Sequence, residues 1–375
     1  MRLSRLVLRH FRNLGVQDLE LPAEGVALIG DNAQGKSNFL EAIYYLETFR
    51  SFRGARDDQL VGFGEDVFRI VGNVVCGEDE IGDSIEVAAA FERRGKRKKV
   101  SVDGREAERL GDALGRLSAV IFSPADLELV SGGPKERRRF LDIVLSLNEP
   151  GYLSALQDYR RILSSRNASL KEGHPRSVVV AWDEGLVRAG AEVIDARRRW
   201  VDDGCEPFGE YYSRVANGSR ARMTYRPNVA LNGAVDLEEV REAFRAALGA
   251  ALEKDRRFGT TSVGPHRDDV RLQVDEARDG LDLRDYGSGG QRRTAALALR
   301  LLEARTIRER RRTRPVILLD DVFAELDGGR SERVLELMES EETGQVLLTA
   351  PRESDVRLKR DTLARWRISA GLITS

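Results

Sequence analysis

Residues 30–37 read GDNAQGKS, which fits the phosphate-loop pattern G-x-x-x-x-G-K-[ST]. An apolar strand candidate, residues 26–29, precedes this loop. The segment after it carries apolar side chains at helical spacing, at Phe39, Leu40, Ile43 and Leu46. Glycines let backbone N–H groups turn inward around phosphate oxygens, and the helix N-terminus adds partial positive charge at the same place. The stretch therefore predicts a phosphate site between a strand and a helix.

Each residue of the loop is a candidate for nucleotide binding. The predicted set is Gly30, Asp31, Asn32, Ala33, Gln34, Gly35, Lys36 and Ser37. The Lys36 ammonium reaches the outer phosphates in such loops, so we predict a catalytic role for it, and the Ser37 hydroxyl can ligate Mg²⁺.

A second motif, LLDD at residues 318–321, follows Pro315 and an apolar strand candidate. A carboxylate at the end of a buried strand is where phosphate-loop enzymes hold Mg²⁺, so Asp320 is the metal candidate. Asp321 is then placed to orient or polarise the attacking water. Two aspartates that only cap a strand end are the alternative. Lys36 and Asp320 are 284 positions apart, which argues for a large insertion between the motifs.

A glycine turn, SGGQRR at residues 288–293, opens an Ala- and Leu-rich helical segment. Its hydroxyl, flexible amides and helix dipole predict a second anion site, formed by Ser288, Gly289, Gly290 and Gln291. One nucleotide does not need two phosphate cradles from one chain. We therefore expect a dimer in which this turn contacts nucleotide held by the other subunit; a glycine-rich helix cap is the alternative.

Length and composition limit the classes of protein. The chain has 375 residues, 41% of them hydrophobic, and a formal net charge of −1, which disfavours disorder and predicts two to three domains. No apolar run exceeds five residues, whereas a membrane helix needs about 20. Cys76 and Cys205 show no CxxC spacing, which excludes a Cys-based zinc site and a disulfide framework. We expect a cytoplasmic protein without a membrane segment.

The hydrophobic period changes along the chain. The first part reads as strand-rich, residues 135–255 mostly show helical spacing with a strand-like piece near 222–225, and α/β character then returns. The pattern predicts one α/β domain formed by residues 1–134 and 256–375, divided by a mostly helical insertion at 135–255.

The motifs resemble a known family. The phosphate loop, the serine-glycine turn, the aspartate strand and Glu325-Leu326-Asp327 together look like an ABC-type ATPase head. Four strings closely resemble the RecF family of recombination mediators: FRN at 11–13, SGGPKERRRFLD at 131–142, GPHRDD at 264–269 and DDVFAELD at 320–327. The resemblance implies an SMC-like, ABC-type P-loop head, with a mixed sheet and flanking helices, that carries the helical insertion.

The same resemblance implies a function. Members of this family are expected to bind ATP and Mg²⁺ and to form an ATP-dependent homodimer on double-stranded DNA next to single-strand gaps. There they assist RecO and RecR in loading RecA, in DNA repair, the SOS response and replication-fork recovery. The resemblance further implies a slow, DNA-stimulated ATPase whose hydrolysis resets the dimer.

Further site residues follow from the resemblance. Arg12 and Asn13 would join the nucleotide site, the turn at 288–291 would act across the dimer, and Asp327 would lie in the interface loop. Asp321 would replace the glutamate typical of ABC heads, and Lys36 and Asp321 would be the catalytic pair. Thr349 is the nearest candidate for the missing switch histidine, and Gln59 is a candidate lid-loop residue.

Basic clusters are the candidates for DNA contact. Residues 93–99, RRGKRKK, hold six cations that are the least offset by acids along the sequence: Arg93, Arg94, Lys96, Arg97, Lys98 and Lys99. Such clusters bind phosphates independently of base sequence, although a solvated face is the plain alternative. Aromatic residues, 6% of the chain, do not interleave with the basic runs, which favours backbone contacts to duplex over base stacking.

Two other classes of function stay open. A transporter's nucleotide-binding subunit would need a membrane partner and usually the switch histidine, and a repair scaffold would not hydrolyse ATP. His266 and Arg267 identify the GPHRDD motif, but the sequence suggests no role for them beyond a structural turn.

Overall fold

The computed structural model describes residues 1–77, 83–231, 233–234, 236–275, 280–322, 328–340, 344–356 and 363–375. The chain divides into two compact units, Met1–Asp126 with Leu299–Ser375, and Leu127–Ala298. The helical insertion predicted at 135–255 lies within the second unit, and its boundaries stay a prediction. None of the described helices has both the length and the apolar character that crossing a membrane requires.

The first unit begins with strands and two helices. These are β1 (Arg2–Arg9), β2 (Gln17–Glu20), β3 (Gly25–Ile29), α1 (Lys36–Thr48), β4 (Val67–Val75), β5 (Ser84–Glu92), β6 (Arg97–Val102), β7 (Arg105–Glu106), α2 (Leu110–Ala113) and β8 (Ala119–Phe122).

The second unit is mostly helical. It contains α3 (Leu127–Ser131), α4 (Pro134–Asn148), α5 (Tyr152–Lys171), α6 (Arg176–Val180), α7 (Asp183–Val215), β9 (Ala221–Arg226), α8 (Leu237–Phe258), β10 (Asp269–Val274), β11 (Leu281–Asp282) and α9 (Leu283–Tyr286).

The last part of the chain completes the first unit. Helix α10 (Gly289–Arg311) has residues in both units. After it come β12 (Val316–Asp320), α11 (Gly328–Ser340), β13 (Val346–Ala350), β14 (Ala364–Ser369) and β15 (Leu372–Thr374).

One sheet of the first unit positions the phosphate loop. Its strand order is β15-β14-β3-β13-β12-β8, and every neighbouring pair except β14–β15 is parallel. The central strands β12 and β13 are buried along their whole length, as parallel strands covered on both faces are. Because parallel strands end at the same edge, the ends of β3, β12 and β13 bring Gly30, Asp320 and Thr349 to one edge, where ligands bind in such sheets.

A second, antiparallel sheet has the order β2-β1-β4-β5-β6-β7. Its strands alternate between buried and exposed residues. The buried face forms one apolar cluster with helix α1, to which Leu6, Phe68, Val87, Tyr45 and Leu46 contribute. Burial of this continuous apolar face is the main term that stabilises the unit.

The second unit combines long helices with a three-stranded sheet of order β11-β10-β9. Strand β9 confirms the strand predicted near residues 222–225. Helix α8 has a matched cap at each end. The Asp236 side chain accepts a hydrogen bond from the Glu239 amide, and Gly259 takes the left-handed conformation, with φ of 67°, that ends many helices.

Candidate nucleotide site

The loop between β3 and α1 has a backbone that depends on its glycines. Gly35 has φ of 115° and directly precedes α1, and Ala33 also has a positive φ of 66°. A Cβ atom at Gly35 would lie 2.7 Å from the Asn13 side-chain oxygen. A larger residue at position 35 would therefore be strained in its backbone and too close to Asn13.

The Lys36 side chain is hydrogen-bonded to the backbone of its own loop. Its ammonium donates hydrogen bonds to the carbonyl oxygens of Gly30, at 2.8 Å, and Asp31, at 3.1 Å. The side chain is buried, with 4% of the residue exposed, and it begins helix α1. The cation and the helix N-terminus thus meet at one point, which favours a bound anion.

Asp320 and Ser37 are paired at the end of β12. The Ser37 hydroxyl donates to Asp320 Oδ1 at 2.8 Å, and the Thr349 hydroxyl donates to the same oxygen at 3.1 Å. Burial raises the pKa of Asp320, and the two hydroxyl donors partly oppose that rise. Hydroxyl and carboxylate oxygens are the ligands that Mg²⁺ prefers, so the donor set fits this ion.

Asp321 lies beside this pair in a strained conformation. Its φ of 49° is in the left-handed region, which non-glycine residues seldom adopt outside turns and functional sites. Its amide donates to the Thr349 hydroxyl at 3.1 Å. Its Oδ1 is buried and has no hydrogen-bond partner among the described residues. Burial raises the pKa of this carboxyl, and Lys36 partly opposes the rise. A free acceptor here can receive a hydrogen bond from a water molecule.

The Glu41 carboxylate holds the side chain of Arg12, which was predicted to join the nucleotide site. The Arg12 guanidinium donates two hydrogen bonds to its carboxylate, at 2.9 and 3.1 Å, and Arg53 and Ser51 each donate one at 2.5 Å. Burial acts to raise the pKa of Glu41, but the hydrogen bonds from Arg53, Arg12 and Ser51 outweigh it and lower the pKa. Sequence reasoning missed Glu41 and Arg53; the position of Glu41 one helical turn after Ser37 was the available signal.

Asn13 supports the loop directly. Its side-chain amide donates to the Gln34 carbonyl at 3.0 Å and its side-chain oxygen accepts from Asn38 at 2.7 Å. The Gly371 amide donates to the same Gln34 carbonyl, at 3.0 Å. Asn13 therefore lies at the phosphate loop, and its part in nucleotide binding stays a prediction.

The turn at 288–291 forms a reciprocal cap. The Ser288 amide donates to the Gln291 side chain at 2.7 Å, and the Gln291 amide donates to the Ser288 hydroxyl at 3.2 Å. This pattern is a capping box, so the cap interpretation is realised. Ser288 and Gly289 are exposed, which leaves the turn accessible. The turn belongs to the second unit and the phosphate loop to the first, and its action across a dimer stays a prediction.

Of the three remaining predicted residues, Gln59 and Thr349 form local contacts and Asp327 lies outside the described part of the chain. The Gln59 side chain accepts a hydrogen bond from the Arg56 amide at 2.9 Å. The backbone carbonyl of Gln59 accepts another from the Arg12 guanidinium. Thr349, the switch candidate, contacts Asp320 as described. Asp327 lies outside the described residues.

The basic run at 93–99 is more neutralised than its sequence indicates. Four of its cations form ion pairs, namely Arg94 with Asp66, Arg97 with Glu92, Lys98 with Asp57 and Lys99 with Glu106. Arg93 donates to the carbonyl groups of Asp58 and Val61. Asp57 and Asp66 are remote from the run in the sequence, whereas Glu92 adjoins it and Glu106 follows shortly after it; folding brings all four carboxylates beside the cations. Lys96 lies exposed at the hairpin turn, and DNA contact by the run stays a prediction.

The GPHRDD motif anchors a buried polar network in the second unit. His266 Nδ1 lies 2.6 Å from the Tyr159 hydroxyl, and Nε2 lies 3.2 Å from the Thr261 carbonyl oxygen. Burial lowers the pKa of His266 to about 4, so the ring is neutral at pH 7. Asp268 accepts hydrogen bonds from Arg197, Tyr225 and the Asn228 amide. The motif therefore has a structural role, as a buried turn that joins several elements.

Comparison with known proteins gives concordant results. Residues 2–370 match the family described as RecF/RecN/SMC N terminal domain. The chain is 40% identical to the DNA replication and repair protein RecF of Synechococcus sp. (strain JA-2-3B'a(2-13)), over 93% of this chain and 91% of that protein. It is 37% identical to the protein of the same name from Thermoanaerobacter sp. (strain X514), over 92% and 93%.

Solved structures agree. A structure of the recombination mediator protein RecF with ATP, in the RecFOR pathway, superimposes with a TM-score of 0.89 at 32% identity and covers 99% of this chain and 96% of that one. An Smc head domain from Pyrococcus furiosus has a TM-score of 0.57 at 16% identity, over 99% and 95%. The predicted fold class, an ABC-type P-loop ATPase head with mixed sheet and flanking helices, is confirmed.

Proposed function

Because this chain belongs to the RecF family, we propose that it is an ATP-dependent, DNA-binding recombination mediator in DNA repair. It forms an ATP-induced dimer on duplex DNA next to single-strand gaps and assists RecO and RecR in loading RecA, in the cytoplasm, during the SOS response and replication-fork recovery. The names of its relatives and the solved RecF structure with ATP support this proposal.

The observation that carries the enzymatic part is the placement of Asp321. Asp321 directly follows Asp320, which is hydrogen-bonded to Ser37 of the phosphate loop, and its buried Oδ1 has no hydrogen-bond partner within the part of the chain that the structure describes. A carboxylate that no protein group satisfies can orient a water molecule and accept its proton. Strain at Asp321 fits a position whose conformation serves chemistry rather than folding.

Other residues of the loop have distinct tasks. Lys36 and the first amides of α1 bind the phosphates, and Asn13 holds the loop backbone through Gln34. Ser37 and Asp320 would hold Mg²⁺, which when bound neutralises charge on the phosphate oxygens. Asp321 stands where ABC heads usually carry a glutamate, which fits a slow ATPase that works as a switch.

Dimer formation depends on the turn at 288–291. Its exposed Ser288 hydroxyl and the helix N-terminus behind it would contact nucleotide held by a second copy of the chain. ATP then joins two subunits, and hydrolysis separates them.

The test combines sedimentation with ATP turnover. Purified protein is sedimented with and without ATP and a gapped duplex, and phosphate release is measured in parallel. We expect a monomer without ATP, a dimer on DNA with ATP, and turnover that rises when gapped duplex is added. Dimerisation and DNA binding that are the same with and without ATP would contradict the proposal. ATP-dependent binding without ATP turnover would identify a non-hydrolysing scaffold.

A further inference from the structure

The outer face of the antiparallel sheet gathers cations that are far apart in the sequence. Arg9 on β1 lies directly opposite Arg69 on β4. Arg69 lies opposite Ala90 on β5, and Ala90 lies opposite Lys99 on β6. The three cations are exposed, and we call Arg9, Arg69 and Lys99 the basic row.

Strand alternation places the whole row on the solvent side. The strand neighbours of these residues, Leu8, Phe68, Ile70 and Val100, are buried in the apolar cluster on the other face. Side chains on successive positions of a strand point to opposite faces. Lys98, which also belongs to the predicted basic run, points to the buried side and pairs with Asp57.

Two members of the row carry uncompensated charge. Apart from the backbone ladder, the side chains of Arg9 and Arg69 form no hydrogen bond or ion pair with the residues that the structure describes. Three carboxylates on or next to these strands are already engaged: Glu92 with Arg97 at 2.6 Å, Glu106 with Lys99 at 3.1 Å and Asp66 with Arg94 at 3.2 Å. Like charges directly opposite each other on paired strands destabilise a sheet. An anionic ligand would remove that repulsion.

The shape of this face suits an extended polyanion. The row crosses four neighbouring strands, and with about 4.8 Å between strands it spans roughly 14 Å. That length equals about four base-pair steps of duplex DNA. Ala90, in the middle of the row, is small and leaves the face open between the two arginines and Lys99.

We propose that the basic row binds the sugar-phosphate backbone of duplex DNA. This inference rests on the proposed function and assigns the DNA contact to a sheet face rather than to the basic run at 93–99 as a whole. Guanidinium groups pair with phosphate oxygens in any base sequence. The contact is therefore independent of base sequence and weakens steeply with salt.

The experiment measures salt-dependent binding of the full-length protein, with ATP, to a labelled gapped duplex. Arg9→Gln, Arg69→Gln and the double variant remove the free charges. Arg5→Gln is the matched control, because Arg5 lies on the same strand and face but is already paired with Asp18. Between about 50 and 200 mM salt, the slope of log K against log salt is negative, and its magnitude falls by about 0.9 for each lost phosphate contact.

We expect each single variant to reduce the magnitude of the slope by about 0.9 and the double variant to weaken binding by about tenfold. Arg5→Gln should leave both quantities close to wild type. The melting temperature of each row variant should stay the same or rise, because a repulsive pair is removed.

Three results would overturn the assignment. If the wild type binds DNA and the double variant keeps the same slope and affinity, the basic row is not the DNA contact, and the proposed function is unaffected. Equal losses in Arg5→Gln would show a general charge effect instead of a site. Wild-type protein that does not bind gapped duplex with ATP would overturn the proposed function, and the surface assignment with it.

Discussion

The Ser37 hydroxyl donates a 2.8 Å hydrogen bond to Asp320, although 283 positions separate the two residues in the sequence. The contact joins the first residues of α1 to the end of β12, so both motifs act at one edge of the parallel sheet. Thr349, from the neighbouring strand β13, completes the group through the same carboxylate oxygen.

Ser37→Ala should raise the concentration of Mg²⁺ that ATP turnover requires. Loss of one oxygen donor should raise the Mg²⁺ concentration for half-maximal turnover by about tenfold, as substitutions at metal-site ligands and their supports do. A Mg²⁺ titration of turnover measures this. Ser37→Thr keeps the hydroxyl and should restore the wild-type curve; an equal shift in both variants would contradict a ligand role.

Asp321→Asn should trap a dimer with ATP. The amide cannot accept a proton from water, so turnover should fall by about 100-fold or more while nucleotide binding persists. Light scattering with ATP should then show a long-lived dimer. Asp158→Asn, a change at an exposed carboxylate of α5, should behave as wild type; a monomer with ATP in the Asp321 variant would refute the assignment.

Glu41→Gln should destabilise the first unit by about 2 kcal/mol at pH 7, because Arg12 and Arg53 lose their buried anionic partner. The pKa of Glu41 is lowered in the folded state. Its contribution is therefore present above the unfolded-state pKa and is lost as the pH falls through the folded-state pKa. Urea unfolding at neutral and acidic pH should show the wild type and variant converging in acid. A difference that does not depend on pH would contradict this account.

Glu47→Gln should stabilise the folded protein, in contrast to Glu41→Gln. Glu47 is fully buried, and burial raises its pKa to about 8; nearby Glu303 adds to the rise, and Arg311 and Arg300 oppose it. A raised pKa means that stability is highest below the unfolded-state value and is lost as the pH rises through about 8. The variant should therefore be more stable than wild type at pH 8, by on the order of 1 kcal/mol. Thermal unfolding from pH 5 to 8 measures the difference, and parallel curves would argue against it.

Arg197→Met should destabilise the second unit by about 3 to 5 kcal/mol, because it leaves Asp142 and Asp268 buried without their shared cation. Denaturant unfolding measures the loss. Arg199→Met on the same helix changes a half-exposed ion pair and should cost less than about 1 kcal/mol. Equal effects of the two changes would contradict a special role for the buried network.

The prediction of a nucleotide site came from short stretches of the sequence. The loop at 30–37, the two aspartates at the end of β12 and the turn at 288–291 are local patterns, and a local pattern specifies its own backbone conformation and helix start. Which charges are compensated could be read only from the folded chain. Glu41 holds Arg12 and Arg53, strand pairing neutralises most of the run at 93–99, and the register of β1 and β4 leaves Arg9 facing Arg69. Charge compensation depends on distances between residues remote in sequence, and those distances exist only after the strands have paired.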